Sequence, residues 1–200
     1  MTTSRLRILI DDWKNHSWLH SLDFSCPDAI LAEALDEFLY DYIRWFPGRE
    51  EVDEDMLCLV PQLIPVLTYR IARRLYLARS EEKASTSADA FSLLGRHIGQ
   101  IEIYYSSQIG RGFKINHGSG TVIGARCRIG ENCLIHQNCT LGDRNGGRPS
   151  VGENVTIYAG AMILGDISIG SNTIIGANSV VLDSCPPGSI LIGSPAKPRP

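Results

Sequence analysis

Aliphatic residues recur every six positions through the C-terminal half of the chain. The recurrence falls into three runs, with two extra residues after Ile115 and four extra residues after Leu141. A fixed period of this kind is the sequence signature of a solenoid. The positions that carry it are Ile103, Ile109, Ile115, Ile123, Ile129, Ile135, Leu141, Val151, Ile157, Ile163, Ile169, Ile175 and Val181.

A triangular prism explains the period, because six residues make one short flat side and a tight corner. Three hexads then close one coil, and the aliphatic side chain fills the axis. The fourth residue after it is usually small or β-branched, as at Cys127, Val155 and Ala161, where the sides crowd together. Glycine and asparagine near the corners tolerate the positive φ that tight turns often need. The pattern predicts a parallel β-helix from about Ile103 to about Leu182.

The residues before Gly99 carry helical patterns instead. Apolar residues on one face predict an amphipathic helix over residues 29–46. We expect Pro61 and Pro65 to break or kink the next apolar run, with helix resuming over residues 69–78 and again around residues 89–98. The chain is therefore predicted to be α+β, with a helical N-terminal domain (1–99) for packing or oligomerisation. A β-helix domain with a C-terminal tail (100–200) follows it.

Charge and composition narrow the class of partner. A net charge of -3 gives no overall field to gather nucleic acid or anionic lipid, so a small molecule is the expected partner. The apolar start, residues 6–10, is too short for a signal peptide, and no stretch is long enough to span a membrane. With no secretory signal, the six cysteines are expected to be reduced thiols in a cytoplasmic protein.

Two irregularities in the repeat hold candidate chemistry, because insertions in a solenoid become loops, often on the binding face. The first contains His117 in the stretch INHGSG (115–120), and the second is DRNGGRP (143–149). These stretches resemble serine acetyltransferases, a family of hexapeptide-repeat acyltransferases. The matching pieces are IGRGFKINHGSGTVIG (109–124), NCTLGD (138–143), YAGAMILGDISIG (158–170), IGANSVV (175–181), CPPGSILIGSPAK (185–197) and, more distantly, PVLTYRIARRLY (65–76).

The resemblance implies a left-handed β-helix that associates as a trimer or a dimer of trimers and uses acetyl-CoA as co-substrate, with no metal. His117 takes the place of the family's catalytic base in its H-x-[ST]-G motif, and a neutral imidazole suits the deprotonation of a hydroxyl. Glu102 takes the place of the partner carboxylate, usually an aspartate, which orients the imidazole. In the family, a strand edge of small residues lies against coenzyme A, and the residues at the matching positions here are Gly142, Ala159, Gly160 and Ala177. Lys197 and Arg199 are candidates for binding the phosphates of the coenzyme.

Three positions depart from the family's serine-binding pattern. Asn116 replaces an aspartate, Arg148 replaces a histidine, and residues 45–47 lack an expected aspartate. The residues that match the family's catalytic base and its coenzyme-binding edge are unchanged in type. We therefore predict acetyl transfer to the hydroxyl of serine or of a serine-like small acceptor. Arg148 is expected to bind a carboxylate, and loss of the aspartates favours an acceptor whose α-ammonium is weakly recognised, absent or acylated.

Other interpretations stay open at this point. The acceptor could be a sugar or a specialised metabolite, or the prism could be a non-catalytic trimeric scaffold. A zinc-dependent prism needs three histidines, whereas the repeats hold His117 and His136. Cys127, Cys133 and Cys139 could form a three-thiolate metal site, although small buried residues are what the repeat requires there. A sulfhydrylase partner is not expected, because the chain ends at Pro200 without the family's isoleucine-terminated tail.

Overall fold

Helices make up the N-terminal part of the chain. The computed structural model describes residues 1–16, 18–79 and 86–198, with the backbone alone at 197 and 198. None of the helices in these ranges is both long and apolar enough to cross a membrane. The helices are α1 (Thr3–Asn15), α2 (Asp28–Ile43), α3 (Glu54–Leu59), α4 (Leu63–Ala78) and α5 (Thr86–Gly99), with a 3-10 turn at Trp18–Ser21.

Two features of these helices differ from the expectation. Helix α1 was not predicted, although the Thr2 side chain caps it by accepting a hydrogen bond from the Arg5 N–H at 3.3 Å. Pro61 lies between α3 and α4, as expected, but α4 begins at Leu63 and runs through Pro65, so the break expected at Pro65 was wrong. Pro65 lies in the first turn, where a backbone N–H has no partner within the helix, and proline therefore costs little there.

The strands coil into a solenoid of about four turns. The strands are β1 (Glu102–Ile103), β2 (Gln108–Ile109), β3 (Lys114–Ile115), β4 (Val122–Ile123), β5 (Arg128–Ile129), β6 (Leu134–Ile135), β7 (Thr140–Gly142), β8 (Ser150–Val151), β9 (Thr156–Ile157), β10 (Met162–Leu164), β11 (Ser168–Ile169), β12 (Ile174–Ile175), β13 (Val180–Val181), β14 (Ile190–Gly193) and β15 (Ala196–Pro198). From β1 to β13, every third strand pairs in parallel, and β14 and β15 extend one of the three sheets that result. These are the β1 sheet (β1-β4-β7-β10-β13), the β2 sheet (β2-β5-β8-β11) and the β3 sheet (β3-β6-β9-β12-β14-β15).

The predicted hexad register is confirmed. Each of the thirteen aliphatic positions lies in a strand and is at most 8% exposed, so together they fill the axis of the prism. The β-helix also continues beyond its predicted end. Strand β14 pairs in parallel with β12 and buries Leu191, and β15 then turns back antiparallel to β14.

A buried polar network joins the helices to the first coil. The Arg70 guanidinium of α4 binds both carboxylate oxygens of Asp41 in α2, at 2.8 and 3.0 Å, and donates to the carbonyls of Ile109 and Gly110. Asp41 also accepts a hydrogen bond from the Phe113 N–H at 2.7 Å. Both charged side chains are at most 3% exposed, so this network supplies the partners that water would otherwise provide.

The three outer faces of the prism differ in polarity. Apolar side chains point outward from the β1 sheet, as at Met162, and from the β3 sheet, as at Ile174 and Ile190; each of the three is 41–46% exposed. Polar side chains such as Gln108 and Arg128 point outward from the β2 sheet. Two of the three faces therefore offer apolar surface to a partner, and the third is suited to water.

Candidate active site

His117 projects from a corner of the prism, between strand β3 and strand β4. Its φ is 63°, its side chain is exposed, and Gly118 follows with a φ of 72°. A Cβ on Gly118 would lie 2.3 Å from the Ile101 side chain and 2.7 Å from that of Ile115, so the backbone there packs directly on the core. Only glycine fits this position, and the turn that it permits leaves the imidazole outside the prism.

Small residues line the same edge in the following coils. The Gly160 N–H donates to the Gln137 carbonyl at 3.0 Å, and the Asn178 N–H donates to the Ala159 carbonyl at 2.9 Å. Gly160 has a φ of 74°, and a Cβ there would lie 2.2 Å from the Asn178 amide oxygen. The turns 116–120, 136–138, 158–160 and 176–178 thus stack as one edge, here called the His117 corner, which brings His117, Asn116, Ala159, Gly160 and Ala177 together.

Glu102 lies in β1, on the sheet that begins at this corner. Its carboxylate pairs with the Arg96 guanidinium of α5 at 3.0 Å and is 25% exposed. Within the described part of the chain, no hydrogen bond or ion pair joins Glu102 to His117. The helical part therefore supplies the direct partner of this carboxylate.

The second irregularity forms a tight hairpin at a different corner, between β7 and β8. Asn145 and Gly146 both have positive φ, 57° and 83°, as a two-residue turn that joins antiparallel strands requires. The flanking Arg144 and Gly147 form an antiparallel bridge. Gly142 ends β7 at this same edge, so it lies apart from the small residues of the His117 corner.

Arg148 holds this loop together. Its guanidinium pairs with Asp143 of the same loop and donates from Nε to the Ala125 carbonyl at 3.1 Å, and its side chain is 22% exposed. Among the described residues, its Nη2 has no hydrogen-bond partner. This edge, with residues 124–126, 142–149 and 164–166, is here called the Arg148 corner; within one chain it is separated from His117 by the width of the β1 sheet.

Comparison with known proteins identifies the family. Residues 148–183 match a family model described as bacterial transferase hexapeptide (six repeats). The serine acetyltransferase of Helicobacter pylori (strain ATCC 700392 / 26695) is 40% identical over 147 residues, which cover 72% of this chain and 84% of that protein. The chain belongs to the serine acetyltransferase family. The resemblance found in the sequence is thereby confirmed.

Other serine acetyltransferases are similar over a smaller share of their length. That of Staphylococcus aureus (strain Mu50 / ATCC 700699) is 44% identical over 134 residues, 65% of this chain and 61% of that protein. The chain thus spans about three fifths of the length of that relative. A soybean serine acetyltransferase complexed with serine has a TM-score of 0.73 at 28% identity, covering 84% of this chain and 70% of that one. Serine acetyltransferase isoform 3 of Entamoeba histolytica, in complex with cysteine, has a TM-score of 0.71 at 28% identity. That match covers 96% of this chain and 69% of the Entamoeba chain.

A second histidine, His136, lies near His117; the sequence pattern had identified it only as a histidine of the repeats and not as a candidate site residue. The His136 ring stacks on that of Tyr158, with centroids 5.1 Å apart and an interplanar angle of 23°. Burial lowers the pKa of His136, and the nearby His117 lowers it further. The hexad register contains the signal, because Asn116, His136 and Tyr158 each directly follow an inward aliphatic residue in successive coils.

The three repeat cysteines point to separate backbone acceptors. The thiols of Cys127, Cys133 and Cys139 donate to the carbonyls of residues 141, 152 and 158, respectively. Burial raises the pKa of Cys127 to about 11. No group of three histidine, cysteine, aspartate or glutamate side chains among the described residues is placed to hold a metal ion. Arg199 and the Lys197 side chain, both expected near coenzyme phosphates, lie outside the described residues.

Proposed function

We propose that this protein is an acetyl-CoA-dependent O-acetyltransferase that acts on serine or a serine-like small hydroxyl acceptor. The observation that carries the proposal is an exposed His117, held at the family's motif position beside an edge of small residues. His117 takes the proton of the acceptor hydroxyl as its oxygen attacks the thioester carbon. A carbon–oxygen bond forms, the carbon–sulfur bond breaks, and the departing thiolate takes the proton from the imidazolium. The products are the O-acetyl ester and coenzyme A.

Glu102 supports the base in this proposal. Its carboxylate favours the imidazolium that forms at His117, and Arg96 fixes where that carboxylate lies. Because the positive charge of Arg96 partly neutralises this carboxylate, Glu102 stabilises the imidazolium of His117 less than an unpaired carboxylate would. The helical part thus takes part in tuning the site.

The coenzyme is proposed to lie along the His117 corner. Ala159, Gly160 and Ala177 offer backbone without bulky side chains there, which allows an extended pantetheine arm to approach closely. Gly142 and Lys197 are assigned to the same coenzyme by resemblance. Backbone N–H groups along such an edge can hold the thioester oxygen as negative charge develops on it.

We infer a trimeric unit of left-handed prisms, with sites between neighbouring copies. The apolar outward side chains of the β1 and β3 sheets flank the His117 corner on both sides, so burying them places this corner in the seam. Gly142 and Arg148 belong to the other corner of the same chain. A site that uses both corners is therefore formed by the His117 corner of one copy and the Arg148 corner of a neighbouring copy.

The acceptor is proposed to lie against Asn116 and Arg148. The unpartnered Nη2 of Arg148 can donate to a carboxylate or another anionic group, while Nε and Nη1 keep the loop in place. Asn116 is neutral, so it binds an α-ammonium less strongly than an aspartate would. An acceptor with a hydroxyl and an anionic group fits both residues.

Release of coenzyme A by the purified protein tests the proposal. Acetyl-CoA is offered with L-serine, N-acetyl-L-serine, a hydroxy acid without nitrogen, and a neutral sugar. We expect the highest kcat/KM with an acceptor that carries both a hydroxyl and a carboxylate. Release with the sugar alone would overturn the acceptor class, and release with none of them would overturn the proposed activity.

A further inference from the structure

A row of three polar side chains runs along the β3 sheet beside His117. Asn116, His136 and Tyr158 occupy equivalent positions in successive coils, because their N–H groups donate to the carbonyls of Ile135, Ile157 and Ile175 at 2.8 to 3.0 Å. Neighbouring parallel strands lie about 4.8 Å apart, so the three residues are direct neighbours in this row. His136 therefore stands directly beside the residue that is proposed to bind the acceptor.

The ring of His136 is fixed in orientation. It stacks on Tyr158 at 5.1 Å, and the following position in the row is Gly176, which has no side chain to press on the tyrosine from the other side. Tyr158 is 43% exposed, whereas His136 is half-buried. The tyrosine thus covers one face of the imidazole.

The nitrogens of His136 are available to a ligand. Neither has a hydrogen-bond partner among the described residues. Burial, and to a smaller extent the nearby His117, lowers the pKa of the ring. A neutral imidazole offers one donor and one acceptor. The next residue, Gln137, has a buried amide oxygen that is also without a partner in the described chain. Two adjacent unsatisfied polar groups beside a catalytic base point to a polar ligand at that spot.

We propose that His136 is a specificity-determining residue that binds the acceptor, donating a hydrogen bond to the polar or anionic group next to the reacting hydroxyl, and that Tyr158 is a positioning residue that fixes the imidazole plane. The inference rests on the proposed acetyl transfer. In this arrangement His117 binds the hydroxyl itself, and Asn116 occupies the same position as His136 in the preceding coil. The small residues that are proposed to receive the coenzyme lie in the later turns of the corner, 158–160 and 176–178, so we assign His136 to the acceptor.

Steady-state kinetics with acetyl-CoA and L-serine, on the full chain, test this inference. We expect His136→Leu to raise the KM for serine about tenfold or more, the usual cost of losing a hydrogen bond to a charged group. The KM for acetyl-CoA and the affinity for coenzyme A by calorimetry should stay unchanged. His136→Asn keeps a donor and should recover part of the loss. Tyr158→Phe keeps the stacking ring and should resemble the wild type, whereas Tyr158→Leu should raise the serine KM.

A matched control is His97→Leu. The ring of His97 also packs against an aromatic ring, that of Trp18, with centroids 6.0 Å apart, but His97 lies in helix α5 and not in the row beside His117. It should leave both KM values unchanged. An unchanged serine KM in His136→Leu, or a rise confined to acetyl-CoA, would overturn the role of His136 while acetyl transfer by the wild type stands. If the wild type releases no coenzyme A with any hydroxyl acceptor, the proposed function fails first, and this inference with it.

Discussion

Replacing Arg70 by methionine should weaken the docking of the helices on the first coil. Methionine fills a similar volume but donates no hydrogen bond. Asp41, at 1% exposure, would keep the Phe113 N–H at 2.7 Å as its remaining partner, and the Ile109 and Gly110 carbonyls would lose their guanidinium donors. The variant leaves a buried carboxylate without its counter-charge.

The expected loss follows from that geometry. Removing one member of a buried ion pair typically costs about 3–5 kcal/mol in the free energy of unfolding, because the remaining charge stays desolvated. For a chain of this size, each kcal/mol lowers Tm by about 2–4 °C, so Arg70→Met should lower Tm by about 6–20 °C. Adding Asp41→Leu removes the stranded carboxylate and should recover part of the loss.

Arg74→Met on the same helix is the control. Arg74 also binds two carboxylates, Glu33 and Glu37 at 2.7 Å, but it is 29% exposed, so water screens the pairs and the expected cost is about 0–1 kcal/mol. Thermal unfolding is followed by circular dichroism at equal protein concentration. If the two variants melt within about 2 °C of each other, the buried network does not stabilise the fold as argued.

Three further outcomes are expected. Glu102→Gln should lower kcat, but less than His117→Ala does, because it removes charge support and not the base; the reverse order in the same assay would mean that the roles are exchanged. Arg148→Ala should raise the acceptor KM about tenfold with the acetyl-CoA KM unchanged, and a rise in the latter alone would place Arg148 on the coenzyme. At pH 8, the exposed Cys58 should be the fast-reacting thiol in the native protein, and Cys58→Ser should remove that fast phase. Buried Cys127, with a pKa of about 11, should react only after unfolding.

The solenoid was predictable because its rule is local. Each hexad sets its own inward residue, so the register of the three sheets follows from counting, and the two irregularities marked both loops. Helix α1 was missed because its buried face consists of little more than Leu6, Leu9 and Ile10 in a polar segment. The position of Pro65 within a helix depended on where that helix begins, which the apolar pattern alone does not fix.

The candidate site was predictable in its residues but not in their partners. The motif around His117 identified the family, and the hexad count could have placed His136 beside it. The pairing of Glu102 with Arg96 depends on how helix α5 docks on β1, and the closure of Arg148 onto Asp143 depends on a turn that the sequence marks only through Asn145 and Gly146. Such contacts are set by the packing of separate elements, and no periodicity encodes them.

The most direct measurement compares wild type and His117→Ala in coenzyme A release from acetyl-CoA with the preferred acceptor. We expect kcat to fall by roughly 10²- to 10⁴-fold, the usual contribution of a positioned base, while calorimetry finds the affinity for coenzyme A nearly unchanged. A variant that retains kcat within a few fold of the wild type would contradict the assignment of His117 as the base.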